Sequence, residues 1–215
     1  MNPVPHPEAV RIGNRSVIDD AAVQLIAERG LEAATVRKVA TRAGVSPGLV
    51  QHHYPTKQAL LLAAMARVEA AVQQRMSALK EVETPAGRLR ALALCILPLD
   101  PTRAAEARVW LAFAARAAVD PAIAAVHATS WQQLEDAITH LLAAHDGDDE
   151  PDRPPRDRAA VLLAGLDGLA VAALNEPRRL SADRVAILAS LMLHQALDSQ
   201  HATRLGGVRR ARVEL

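Results

Sequence analysis

Residues 35–60 read TVRKVATRAGVSPGLVQHHYPTKQAL, and the spacing of caps and apolar side chains in this stretch decides the fold. Thr35 is placed to cap a helix whose inner face is Val36, Val39, Ala40 and Ala43. Gly44 ends that helix. Ser46-Pro47 starts another, with serine as the cap and proline at the first helical position, where its missing N–H is no loss. Val50 and Tyr54 are four residues apart and face inward, and Pro55 stops the helix. Thr56 caps a third. Two short helices joined by a tight glycine turn form a helix-turn-helix. The second helix has the length to lie in a DNA major groove with its N-terminal residues at base edges.

Charge supports that reading. Residues 33–68 contain Arg37, Lys38, Arg42, Lys57 and Arg67 and no Asp or Glu, a local charge of +5 in a chain of net charge +1. A basic block in a near-neutral chain marks a footprint for a polyanion on one face.

Outward from this core the chain reads as helix throughout. Half of the residues are hydrophobic and only 2% are aromatic, with Ala and Leu dominating, a composition that favours helix over strand. A first helix is expected from about Asn14 to Arg29, with Val17, Ala21 and Leu25 beside Ile18, Ala22 and Ile26 as a buried stripe and Gly30 as a left-handed cap. After the helix opened by Thr56, reaching about Lys80, come helices opened by Thr84-Pro85, Thr102 and Asp120-Pro121. The acidic loop 146–155 is expected as a linker, followed by helices over 156–174 and 182–199. The expected architecture is all-α: an N-terminal three-helix helix-turn-helix domain (14–60), a C-terminal helical dimerisation and ligand-binding domain (61–200), and flexible ends at 1–13 and 201–215. The basic tail, with Arg209, Arg210 and Arg212, is expected as a loose end.

The residues quoted above carry a family resemblance. Glu28-Arg29-Gly30, then Thr35-Val36-Arg37-Lys38-Val39-Ala40, Ala43-Gly44-Val45-Ser46 and Tyr54-Pro55-Thr56-Lys57-Gln58-Ala59-Leu60 together resemble the DNA-binding segment of TetR family transcriptional regulators. The match covers about residues 14–62. The C-terminal half resembles the betaine-regulator type of TetR ligand domain through Asp167-Gly168-Leu169-Ala170 and Leu180-Ser181. One departure stands out. Where many members carry Thr-Leu-Tyr on the recognition helix, this chain has Leu49-Val50-Gln51. The usual tyrosine contact to phosphate is replaced by a glutamine, which can bond adenine N6 and N7 bidentately.

The resemblance and the side-chain chemistry together assign expected DNA contacts. Arg37 is placed for guanine or phosphate. Pro47, Gly48, Leu49 and Gln51 approach bases, Leu49 offering only apolar contact. His53 and Lys57 touch phosphate, and Thr35 can do so as well as cap. Ser46, His52 and Tyr54 complete the set. A metal site at His52-His53 is not expected, because adjacent helical positions point apart and no nearby Cys, Asp or Glu completes it.

In the C-terminal half, the helix over 156–174 is apolar nearly all round and must be buried on both sides. A second subunit is the natural second side. Leu162, Gly165, Leu166 and Leu169, with Val185, Leu188, Met192 and Gln195 on the last helix, are the expected dimer interface. Such two-fold symmetry suits a palindromic operator. Trp110 and Phe113 lie three residues apart on one helix, Trp131 on the next, with Met65 and Cys95 as neighbours. These residues either pack as plain core or line an apolar ligand cavity, with Arg108, Arg116, His127 and Gln132 as candidate polar anchors. The resemblance implies that a small-molecule effector, unknown in identity, shifts the equilibrium between conformers that fit and do not fit DNA, and it implies repression.

Other classes are disfavoured. The sequence has no glycine-rich phosphate loop, no His-Glu-x-x-His and no nucleophile elbow, and Cys95 sits in an apolar run where an inert thiol is expected. No enzyme activity and no cofactor are expected. A single cysteine, no leader-like N-terminus and no bilayer-length apolar run fit a cytoplasmic protein without membrane contact. The expected partners are a double-stranded DNA operator, a second copy of the chain and the effector. The competing reading, prompted by Gln51, is a helical protein-interaction module that keeps the fold without specific DNA binding.

Overall fold

The computed structural model describes residues 7–147 and 153–198. It is helical, with nine α-helices among those residues: α1 (Pro7–Arg29), α2 (Val36–Ala43), α3 (Pro47–His53), α4 (Lys57–Ser77), α5 (Pro85–Ile96), α6 (Pro101–Ala117), α7 (Pro121–Asp146), α8 (Pro155–Asn175) and α9 (Ala182–Leu197). Short 3-10 turns at Leu31–Ala33 and Ala78–Glu81 were not expected from the spacing.

Local caps set most of these boundaries. The hydroxyls of Thr35, Ser46, Thr56, Thr84 and Ser181 each accept a backbone N–H from the first turn of the following helix, and the Asp100 and Asp120 carboxylates do the same. Gly44 takes the left-handed conformation, φ 68° and ψ 28°, that closes α2. Gly30 also has positive φ, 78°, but its ψ of 173° lies outside the left-handed helical region, and it leads into the 3-10 turn instead. Helix α1 starts at Pro7, seven residues before the expected Asn14, with proline at the first helical position. Val17, expected in the buried stripe, is 46% exposed, while Ile18, Ala22 and Ile26 are sealed. Residues 148–152 of the acidic loop and the basic tail with Arg209, Arg210 and Arg212 lie outside the described residues.

Two apolar cores form. The first joins α1, α2, α3 and the first half of α4 through Ile18, Ile26, Val39, Val50, Leu60 and Met65, and it takes in Val109 and Phe113 of α6 and Ile123 of α7. The second joins α5, the latter part of α7, α8 and α9 through Leu89, Leu92, Ile138, Leu142, Leu163, Val185 and Leu193. Each large side chain so sealed contributes about 1.5–3 kcal/mol. Helix α4 crosses the domain boundary expected at residue 60 without a break.

One buried ion pair closes the far end. The Arg158 guanidinium at the start of α8 pairs with Asp146 at the end of α7 and donates to the Ala196 carbonyl on α9 at 2.9 Å. Both side chains are almost wholly buried, 6% and 4% exposed. Removing one partner leaves the other charge stranded. Arg158→Ala is therefore expected to lose about 3–5 kcal/mol in urea unfolding at fixed protein concentration, and a loss below about 1 kcal/mol, the level of a surface pair, would contradict this account.

Candidate nucleic-acid interface and ligand cavity

Helix α3 is presented as a surface ridge because only one of its sides is buried. Val50 is fully sealed in the first core, and Pro47, Gly48, Gln51 and His52 are exposed, with Leu49 and His53 half-buried. Thr35 and Ser46 are exposed but already engaged as caps, accepting from Lys38 N and Leu49 N. His52 and His53 meet edge to face, and no group of potential metal ligands occurs among the described residues.

Tyr54 requires a correction. It is 3% exposed, so it is not a DNA contact. Its hydroxyl donates to the Asp19 carboxylate and accepts from Arg15 Nε at 3.1 Å, with the Arg15 guanidinium 5.7 Å from its ring centre. Burial and the bond to Asp19 push the phenol up to about 12. Tyr54 fastens α3 to α1 and so sets the angle of the ridge.

The basic block is also reshaped by folding. Arg42 forms a two-pronged pair with Glu28, Lys57 pairs with Glu32 at 2.5 Å, and Arg67 pairs with Asp20 at 2.8 Å. Among the described residues no ion pair engages Arg37 or Lys38, both exposed on α2 beside the ridge. The available positive charge is therefore concentrated on those two side chains.

Behind this layer, α4, α5, α6, α7 and α8 line a partly open cavity of about 170 Å³. Of the residues expected to line it, Cys95, Trp110 and Trp131 do. Met65 and Phe113 do not: each is 1% exposed in the first core. The reason is the winding of α6. Arg103, Glu106, Ala107, Trp110 and Leu111 form the row facing the cavity, while Val109 and Phe113, four apart, form the row facing α1 and α4. Arg108 and Gln132 are exposed, and Arg116 is exposed and pairs with Asp120, so none of the three anchors the cavity. His127 stacks with the indoles and is not among the lining residues. Its ring stacks 4.5 Å from Trp110 and 5.8 Å from Trp131, and the two indoles stack 5.6 Å apart. Burial pushes the imidazole below its ordinary range.

The polar groups of the cavity were largely missed by sequence reasoning. Glu69, Glu106 and Asp167 line it. Glu106 is neutralised by Arg75, and Arg103 pairs with Asp100 at 2.8 Å. Glu69 instead accepts from the Ser130 hydroxyl, and Asp167 accepts from the Trp110 indole. Neither forms an ion pair with Arg or Lys among the described residues. Burial raises the Asp167 carboxyl above its ordinary range, with the indole bond opposing. Asp167 could have been found: it is the one acid within the apolar stretch 159–174.

The expected dimer residues also need correction. Leu162, Leu166, Leu169 and Val185 are 0–6% exposed within a single chain, Leu188 and Met192 pack on the same core, and a methyl at Gly165 would lie 3.4 Å from Met192 Sδ. These residues pack within the second core of a single chain, and Leu166 also lines the cavity. The outward faces carry Val161, 73% exposed, Ala164 and Gly168 on α8, and Ile187 and Leu191, 60% and 58% exposed, on α9, beside Gln195.

Comparison with known proteins agrees with this geometry. The family model for bacterial regulatory proteins of the tetR family matches residues 18–64, and that for the C-terminal part of BetI-type transcriptional repressors matches residues 85–198. The HTH-type transcriptional regulator PksA of Bacillus subtilis is 30% identical over 175 residues, 80% of this chain and 83% of its own. The crystal structure of a transcriptional regulator from Rhodococcus sp. RHA1 superposes with a TM-score of 0.76 at 33% identity, covering 85% of this chain and 95% of its own. A regulator from Saccharomonospora viridis, solved in complex with choline, has the same fold, with a TM-score of 0.77 at 24% identity over 85% of this chain and 96% of its own. With a helix-turn-helix ridge at one end and a BetI-type C-terminal half at the other, the chain belongs to the TetR family of DNA-binding, ligand-responsive transcriptional regulators.

Proposed function

We propose that the chain works in the cytoplasm as a homodimeric repressor that holds a palindromic operator and releases it when a small cation enters the cavity. The observation that carries the DNA half is the α3 ridge. It is seated by Val50 and Tyr54, exposes Pro47, Gly48, Gln51 and His52, and lies beside Arg37 and Lys38, which no ion pair engages among the described residues. Gln51 reads adenine, Arg37 reads guanine or phosphate, and Leu49 offers apolar contact to a base. His53 and Lys57 hold phosphate, Lys57 by exchanging Glu32 for the DNA backbone.

The outward faces of α8 and α9 support a second copy as the dimer partner. Val161, Ile187 and Leu191 are large apolar side chains exposed together on the two helices, and Ala164 and Gly168 leave room for a helix to approach. A two-fold axis through this face would present two α3 ridges to one side of a palindromic duplex. The cavity favours a cation: two indoles line it, and Glu69 and Asp167 supply negative charge without an Arg or Lys ion-pair partner among the described residues. The choline bound to the Saccharomonospora regulator is a ligand of that class.

Three outcomes check this reading. With DNA recovered by selection from random sequence, Arg37→Ala should weaken binding by about 1–3 kcal/mol, and Lys57→Ala should weaken it on all sequences while lowering the salt slope by about one per site. Anisotropy titrations at two salt concentrations read both, and unchanged affinity in the two variants would favour an interaction module. Leu191→Glu combined with Ile187→Glu should give monomers in analytical ultracentrifugation; a persistent dimer would move the interface elsewhere. Asp167 has a raised folded pKa, so its favourable contribution is complete below about pH 3.9 and is lost as pH rises through the folded value. Asp167→Asn should therefore be more stable than the wild type at pH 7, with the gap closing toward pH 4 in thermal melts, and it should lose the quenching of tryptophan fluorescence by choline. A variant less stable at pH 7 would show that Asp167 serves packing alone.

A further inference from the structure

We infer that the hydrogen bond between Glu69 and Ser130 is the contact through which an occupant of the cavity acts on the DNA-binding helices, with Glu69 a positioning residue. The inference rests on the reading of the cavity as the sensor. Helix α4 belongs to both ends of the molecule. Leu60, Ala64, Met65 and Val68 are buried in the first core, and from Val68 onward Glu69, Val72, Gln73 and Met76 line the cavity. Its packing is on α1, α5 and α6. Across the cavity, the Glu69 carboxylate accepts from the Ser130 hydroxyl on α7, and both side chains line the space where a ligand would sit.

The chemistry of this bond differs from that of the other polar ties of α4. Arg67 pairs with Asp20 on α1, and Arg75 pairs with Glu106 on α6 while reaching the Cys95 carbonyl on α5. Displacing a partner from either of those ties would strand a charge. The Glu69–Ser130 bond has a charge on one side only, and Ser130 has a second acceptor, the Val126 carbonyl one turn back on α7, at 3.1 Å. Two arrangements are therefore complete. In one, Ser130 donates to Glu69. In the other, Ser130 donates to Val126 and Glu69 faces the ligand. A positive charge attracts a carboxylate more strongly than a neutral hydroxyl does, so a cationic occupant selects the second arrangement. That choice releases α4 from α7, and because α4 also seats in the core that holds α3, the ridge shifts with it. The coupling is the difference in ligand affinity between the two arrangements.

The test uses the full-length chain and the selected DNA. Ser130→Ala removes the bond but keeps the carboxylate, Ser130→Thr keeps a hydroxyl, and Glu69→Ala removes the bond from the other side should Ser130→Ala fail to fold. Trp110 and Trp131 are the only tryptophans of the chain and both line the cavity, so their fluorescence reports occupancy by choline chloride, the probe. DNA affinity is read separately by anisotropy. Without choline, Ser130→Ala should bind DNA as weakly as the choline-saturated wild type, a drop of about tenfold, inside the roughly 5- to 150-fold range of such couplings. Choline should still quench its tryptophans but no longer change its DNA affinity, and Ser130→Thr should restore both behaviours. Wild-type DNA affinity in Ser130→Ala and Glu69→Ala, with an undiminished choline response, overturns the inference. If choline leaves wild-type fluorescence unchanged, the cation reading of the cavity fails, and the comparison of Ser130→Ala with Ser130→Thr in choline-free DNA binding still decides the inference: equal affinities overturn it, and a loss restored by threonine upholds it.

Discussion

Helix α4 cannot bury its first half without fixing its second. Leu60, Ala64 and Met65 are sealed against α1 and α6, and the helix continues unbroken to Ser77, so the side chains beyond Val68 are carried to one wall of the cavity. A helix is stiff over this length, and a close-packed core does not deform gradually. The DNA-facing ridge and the cavity are thus joined by one rigid body rather than by a linker. The first core reinforces this by taking in Val109, Phe113 and Ile123 from α6 and α7. Helix α6 presents Trp110 to the cavity and Phe113 to the DNA-binding helices from neighbouring rows, so the cavity wall and the seat of the ridge share a second helix.

Charge is the other constraint, and it acts differently at the two ends. At the DNA face three of the five basic side chains between residues 33 and 68 are met by acids from outside that segment: Glu28, Glu32 and Asp20. These exposed pairs contribute little to stability. Their consequence is to hold Arg42 and Arg67 against α1 and to leave Arg37 and Lys38, among the described residues, as the basic side chains of the segment outside any ion pair. In the cavity the imbalance is negative. Two carboxylates, Glu69 and Asp167, line the cavity with the indoles and have no Arg or Lys ion-pair partner among the described residues, and burial already makes the charged form of Asp167 costly.

Much of the helix pattern was legible because caps are local. Thr35, Ser46-Pro47, Thr56, Thr84-Pro85, Asp120-Pro121 and Ser181 each satisfy orphan N–H groups within their own first turn, so no distant residue is needed to place them. Gly44 was readable for the same reason. Gly30 was only half readable: its positive φ follows from being glycine, but its ψ depends on the 3-10 turn that Leu31 and Ala33 make against α1. The face of a helix was legible where one neighbour dominates, as with Val50 on α3. It was not legible where a helix has three neighbours. Helix α8 packs on α7 and α9, lines the cavity and faces the outside, and the apolar residues assigned to its outside, Leu162, Leu166 and Leu169, are buried in the second core, with Leu166 on the cavity wall.

By itself, the sequence determined the all-α class, the order and ends of most helices and the helix-turn-helix. Those properties rest on backbone capping, side-chain period and composition, which are set within a few residues of chain. Only the tertiary structure decided which side each apolar row faces, that Tyr54 is a buried fastener rather than a DNA contact, and which basic groups remain unpaired. It alone brought Glu69, Ser130 and Asp167 to one cavity. These outcomes depend on contacts between residues 14 to 61 positions apart, such as Arg42 with Glu28, Lys57 with Glu32, and Ser130 with Glu69, and no local pattern encodes which of several chemically eligible partners the packed chain brings within reach.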